Sequence, residues 1–250
     1  MNEEERYLFD LRGYLVIEDV LPDAELAELN GLMDSQTLAP PGDDTLSARF
    51  GGFLAWGEVY CDLLDHDRIM PYLKTVLGDG FRLDHYYGIY MREGTESLRL
   101  HGGNTPYDPP EFFQFRDGRM YNGLTVAAWN LTDMGPAVGG FCAVPGSHKA
   151  NYACPESIRA AHAAHEAVVV PEAPAGSVVI FTEALTHGTA EWTAEYQRRS
   201  LLFKYSPGQQ SWSANYTQPP EGVDLTPRQR LLFEQPYFNS RRSLFDREQG

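Results

Sequence analysis

Three short stretches combine metal-ligating or anion-binding side chains with turn residues. They are Leu98-Arg99-Leu100-His101-Gly102-Gly103, Val144-Pro145-Gly146-Ser147-His148, and Leu185-Thr186-His187-Gly188-Thr189, with Arg198 eleven residues after His187. Neutral imidazole is a ready ligand for first-row divalent metals. A guanidinium stays charged at any working pH and offers paired, coplanar donors to a carboxylate. A lone histidine is more often a surface or hydrogen-bonded core residue, so the seven in this chain must be weighed by context. His162 and His165 stand three apart in an Ala-rich helical stretch and read as a solvent-facing pair. His66, among Asp62, Asp65 and Asp67, reads as part of an exposed helix face, and His85 falls in a strand pattern.

Together the three stretches resemble the phytanoyl-CoA dioxygenase family of iron- and 2-oxoglutarate-dependent oxygenases. The resemblance runs from Gly13-Tyr14-Leu15-Val16 to about Tyr205, most of the chain. It implies a mainly β fold with flanking helices, a double-stranded β-helix (jelly roll, cupin-like), in which a His-x-Asp pair at a strand end and a distal histidine face iron(II). His101 matches the first ligand and His187 the distal one. Arg198 sits at the family's spacing for the residue that pairs with the far carboxylate of 2-oxoglutarate, while Arg199 should point to the opposite sheet face. Trp129 lies where the family has an inner strand near the cosubstrate and is carried as a further contact, with core filling as the plainer reading. The family shares the Pro-Gly-Ser-His turn without using it for iron, so His148 is read as structural.

The family's carboxylate ligand is matched by Gly103, which has no side chain to offer. Iron halogenases that resemble this family carry Gly or Ala there, and a chloride ion fills the vacated position. The resemblance thus implies a halogenase that uses iron(II), 2-oxoglutarate, O2 and chloride to chlorinate an unactivated C–H bond of a small molecule in specialised, natural-product metabolism. A nucleotide such as a deoxyadenosine monophosphate is the leading substrate, with Arg99, Arg199 and Lys204 as cations to meet its phosphate. No carrier module is visible. The alternatives are a hydroxylase whose carboxylate comes from elsewhere, Asp108 being the nearest replacement, and a jelly-roll binding protein that has lost its metal.

The elements that must position these groups follow from pattern. A short helix ending at Gly13, a strand over Tyr14–Ile17 and a helix with Leu26, Leu29, Leu32 and Met33 on one face open the chain. Residues from about Gln36 to Ala55, rich in Pro, Gly and Asp, read as a loop able to cover a site, and Val59 to Leu77 as helical. Strand patterns occupy Arg82–Arg92, Ser97–His101, Gly123–Asn130, Gly140–Val144, Ser177–Phe181 and Arg199–Tyr205. A helical insertion, Pro155–His165, precedes a further strand candidate over Ala167–Val170, and the tail from Thr226 to Glu248 reads as partly helical.

Length 250 with 42% apolar residues is read as one jelly-roll domain with amino-terminal helices. A net charge of -15 disfavours nucleic acid polymers. No leader pattern or membrane-length apolar run is visible, which predicts a cytoplasmic protein. Cys61, Cys142 and Cys154 lack paired spacing and read as free thiols.

Overall fold

The computed structural model describes residues 1–38 and 45–246. A capping box starts helix α1 (Glu3–Arg12): Asn2 accepts from the Glu5 amide while Glu5 reaches back to the Asn2 amide. Strand β1 (Tyr14–Ile17) follows, then α2 (Asp23–Asp34) with Leu29 and Met33 on its buried stripe. Within the expected loop from Gln36 to Ala55, residues 39–44 lie outside the described residues. The remainder is more ordered than its composition implies, with β2 (Ser47–Phe50) on a sheet edge and a buried 3₁₀ turn at Phe53–Ala55. Val59–Leu77 divides into α3 (Glu58–Asp62) and α4 (Met70–Leu77), because Pro71 suits the first turn of a new helix but not the interior of a long one.

The remaining elements are β3 (Arg82–Met91), β4 (Leu98–His101), β5 (Phe113–Arg116), β6 (Arg119–Asn122), β7 (Thr125–Asn130), β8 (Gly140–Ala143), α5 (Glu156–Ala161), β9 (Val178–Thr182), β10 (His187–Ala190), β11 (Arg198–Ser206) and α6 (Pro227–Leu232). A six-stranded sheet, ordered β1-β9-β7-β11-β3-β2, packs on a three-stranded sheet, β4-β10-β8, while β5 and β6 form a separate hairpin. All these strand pairs are antiparallel. The chain crosses from the large sheet to the small one at β3 to β4, β7 to β8 and β9 to β10, and returns at β8 to β9, at β10 to β11 and, by way of the β5–β6 hairpin, between β4 and β7. This back-and-forth path is that of a jelly roll, the fold expected from sequence. The Ala167–Val170 strand is reduced to a single bridge between Val169 and Ala143. No helix among the described residues is long and apolar enough to cross a membrane. The three cysteines are free thiols.

Alternation on the large sheet separates two jobs. Ala127, Trp129, Val178, Ile180, Leu201 and Phe203 pack beneath the helices, whereas Val126, Ala128, Val179, Phe181 and Leu202 face the small sheet. Each large apolar side chain fully buried is worth roughly 1.5–3 kcal/mol. A one-residue slip of β11 would exchange the two faces, sending Lys204 under the helices, so the register that places the site is strongly specified.

His148 has the structural role expected of it. Its Nε2 donates to the Asp10 carbonyl at 2.9 Å, and its ring stands edge-on to Phe113 at 4.5 Å, tying the Pro-Gly-Ser-His turn to α1 and to β5. Burial pushes its pKa down to about 4. The folded protein therefore holds a neutral imidazole that the unfolded chain protonates below pH ~6.5, and stability is lost as pH falls through the window between about 6.5 and 4. Denaturant titrations at pH 7 and 5 should show His148→Gln losing less stability on acidification than wild type, by on the order of 1–2 kcal/mol.

Candidate active site

The site lies between the two sheets. His101 ends β4 and His187 begins β10, and the two are direct partners across the antiparallel pair, with ring centroids 4.3 Å apart. The Nδ1 of His187 contacts the Leu185 carbonyl at 2.7 Å, and that of His101 contacts the Arg99 carbonyl at 3.3 Å. A carbonyl can only accept, so each Nδ1 carries a hydrogen, which leaves Nε2 as the nitrogen that ligates a metal when the ring is neutral. Burial drives the pKa of His187 down to about 4, which leaves the ring neutral, the form that ligates.

The third member of the cluster is Glu183, in the turn that carries the chain from β9 to β10. One ligand atom from each of His101, Glu183 and His187 lies within 4.8 Å of the others. Glu183 Oε2 is 3.8 Å from His187 Nε2, and Oε1 is 2.6 Å from the Lys204 ammonium. Although burial opposes its charge, Lys204 and the facing imidazoles hold its pKa at about 2, so the carboxylate is anionic. The turn is pinned by the Glu183 amide on the Leu124 carbonyl (2.9 Å) and the Thr186 amide on Ser147 Oγ (2.7 Å). The second contact gives the Pro-Gly-Ser-His turn its place in the site: it fixes the backbone beside His187.

Arg198, Ser200, Leu202 and Lys204 share the β11 face that looks toward the small sheet. Arg198 lines the same cavity as His101, Glu183 and His187, with Tyr87, Asn130 and Phe181 among the other walls. It is only 5% exposed, its Nε has no hydrogen-bond partner, and its Nη1 meets nothing more polar than the Met91 sulfur at 3.0 Å. Among the described residues no carboxylate pairs with it, and burial lowers its pKa to about 10 without neutralising it. A buried, unpaired cation costs several kcal/mol, which fits a wall built for an anion. Arg199 occupies the opposite face, as expected, bonded to Asp34 and Asn30.

Other expectations resolve differently. Trp129 is fully buried beneath the helices, its ring against His66 at 5.4 Å, and the neighbours that line the cavity are Ala128 and Asn130. Strand alternation thus removes Trp129 from cosubstrate contact and makes it core. His66 is correspondingly half-buried rather than exposed. His162 bonds the Leu98 carbonyl and His165 the Ala167 amide, so neither is an open metal pair. Asp108 is exposed and stands outside the cluster. Gly103 lines a separate, mostly apolar cavity with Val144, Ser147 and Tyr152, and a β-carbon there would face Thr186 Oγ1 at 3.2 Å and Arg159 at 3.6 Å. Glu183 is the residue that sequence reasoning missed. Its signal was an acid closing the apolar run Val178-Val179-Ile180-Phe181, where a buried charge needs a partner.

The sequence matches the family model described as Phytanoyl-CoA dioxygenase (PhyH) over residues 9–200. No curated protein matches it. Among solved structures it is similar to HygX from Streptomyces hygroscopicus with nickel and 2-oxoglutarate bound, at 26% identity and a TM-score of 0.77 over 90% of this chain and 96% of that one. The same protein with nickel, 2-oxoglutarate and hygromycin B bound matches at 26% identity and 0.76 over the same shares. With iron bound it matches at 25% identity and 0.74, over 90% and 95%.

Proposed function

We infer the function from one premise: the chain belongs to the phytanoyl-CoA dioxygenase family. It is an oxygenase dependent on iron and 2-oxoglutarate, and our reading is that it oxidises an unactivated C–H bond of a small polar molecule. His101 and His187 would hold the iron, and Arg198 would anchor the far carboxylate of 2-oxoglutarate. Iron with 2-oxoglutarate and O2 supplies the oxidising power. This chain's residues do the rest: His101 and His187 present ring nitrogens, a buried guanidinium sets the orientation of the cosubstrate, and Tyr87, Phe141 and Phe181 form aromatic walls beside them. The observation that carries the reading is the unpaired guanidinium of Arg198 in the same cavity as the two histidines.

Whether oxygen or chlorine reaches the substrate turns on what stands beside the iron. The missing side chain at Gly103 favours chloride. Two observations favour oxygen. Glu183 already puts a carboxylate among the histidines. A halide within about 4 Å of that carboxylate would be repelled by roughly 4 kcal/mol at an effective dielectric of about 20, before the charges of the metal and of Lys204 are counted. Gly103 also lines a different cavity. Oxygenation is therefore our reading, and chlorination the alternative.

The substrate follows from charge. Of the cations considered for a phosphate, Arg99 pairs with Glu156, Arg199 with Asp34 and Lys204 with Glu183, so each already has a carboxylate partner. With those three cations engaged, our reading is a neutral or amine-bearing small molecule rather than a nucleotide, although Arg49 and Arg198 also line the cavity. The structural relative with hygromycin B bound points the same way. Mass spectrometry of reactions with iron(II), 2-oxoglutarate and O2, run with and without chloride on amino sugars and nucleotides, tests this. The expected product is chloride-independent, with oxygen gained or hydrogen lost; a chlorinated product would return the assignment to a halogenase.

A further inference from the structure

We propose that Glu183 is the carboxylate ligand of the iron, moved from the strand end after His101 to the turn before His187, and that Lys204 is its positioning residue. The proposal rests on the reading that His101 and His187 hold iron. It adds the residue that completes a two-histidine, one-carboxylate face.

The backbone explains why the carboxylate has changed place. After His101 the chain leaves β4 through two left-handed glycines, Gly102 with φ +76° and Gly103 with φ +110°. Arg159 clamps this exit, donating to the Leu100 carbonyl at 3.0 Å and the Gly102 carbonyl at 2.9 Å. The exit points position 103 toward Thr186 Oγ1, so a side chain there would enter the neighbouring cavity. Gly102 meanwhile lets the strand end touch the turn that carries Glu183: a β-carbon at 102 would fall 2.5 Å from the Leu185 carbonyl and 2.6 Å from the Glu183 carbonyl. The conformation that denies a ligand at 103 is thus the one that draws Glu183 close to His101.

Lys204 divides the labour of the carboxylate. At 2.6 Å its ammonium engages Oε1, which leaves Oε2 as the oxygen on the His187 side. Metal-ligating carboxylates are usually oriented by such a hydrogen-bonding partner, and losing the partner typically costs 10–100-fold in metal affinity. The plainer role for the pair is a buried ion pair that only joins β11 to the turn. The two roles differ in what they do to metal binding.

Cobalt(II), added anaerobically without substrate or 2-oxoglutarate, separates them by calorimetry and by its ligand-field bands. Wild type should bind one cobalt, and His187→Ala should lose it. Glu183→Gln should weaken binding by about 100-fold or more and alter the bands, and Lys204→Met by about 10-fold. Should Glu183→Gln fail to fold, the Glu183→Gln/Lys204→Met double variant, which removes both buried charges, is read in the same way. Cobalt binding and bands equal to wild type in either variant, with binding lost in His187→Ala, would overturn the relocation while leaving the iron reading intact. A wild-type protein that binds no cobalt or iron(II) would instead overturn the reading beneath it.

Discussion

His187→Ala abolishes the weak visible absorption band expected when iron(II) and 2-oxoglutarate are added together to the wild-type protein without oxygen. The effect should be all or nothing at working concentrations, since a lost ligand costs more than a lost orienting partner, which already costs 10–100-fold. His187 is 5% exposed, neutral through burial, and has its Nδ1–H engaged by the Leu185 carbonyl, leaving the imidazole no other task for Nε2 than to face Glu183 and His101. The ring also packs against Phe181 at 4.8 Å, so truncation leaves a cavity costing on the order of 2–4 kcal/mol. Circular dichroism and denaturant unfolding must therefore accompany the spectrum. A folded His187→Ala protein that keeps the band would remove His187 from the metal, and with it the site as drawn.

How much of this was legible in the sequence depended on whether a residue's role follows from its neighbours in the chain. The sheet face of Arg198 against Arg199 follows from period-two alternation, and the structure sends them to opposite sides as expected. The same alternation argues against Trp129: Ala128 and Asn130 reach the cavity, so the residue between them cannot. The hairpin of β5 and β6 was not foreseen, because two four-residue strands with exposed aromatics such as Phe115 and Tyr121 lack a clean apolar face. Nor was β10, where His187-Gly188-Thr189-Ala190 reads as turn chemistry yet is buried throughout.

Glu183 marks the limit most clearly. The position two residues after His101 is near in the chain, whereas a metal there would meet what the crossing from β9 to β10 brings within reach. Asp108 was the nearest carboxylate in sequence after that position; Glu183 is the one near in space, eighty-two residues beyond His101. The energetics say why the site tolerates it: a buried carboxylate persists only with its charge compensated, and Lys204, on the face of β11 that also carries Arg198, provides the compensation.

Arg198→Met should separate binding from stability by moving them in opposite directions. A charged hydrogen-bonded contact to 2-oxoglutarate is worth about 1.5–3 kcal/mol, so affinity should fall roughly 10- to 150-fold, and further if the ligand carboxylate is left buried without a partner. The free protein should meanwhile hold its stability or gain up to a few kcal/mol, because the substitution removes a guanidinium that is 5% exposed and unpaired, and puts a side chain of similar reach in its place. Melting curves with and without 2-oxoglutarate read both quantities at once: wild type is raised by the ligand in proportion to its occupancy, whereas the variant starts as high or higher and scarcely responds. Arg198→Lys should recover part of the affinity, since an ammonium restores charge without the planar pair of donors. Arg199→Met, which breaks the contacts to Asp34 and Asn30 on the far face, should leave 2-oxoglutarate affinity unchanged. If Arg198→Met instead destabilises the free protein and binds 2-oxoglutarate normally, the guanidinium is a structural strut, and the cosubstrate must be anchored elsewhere in the cavity.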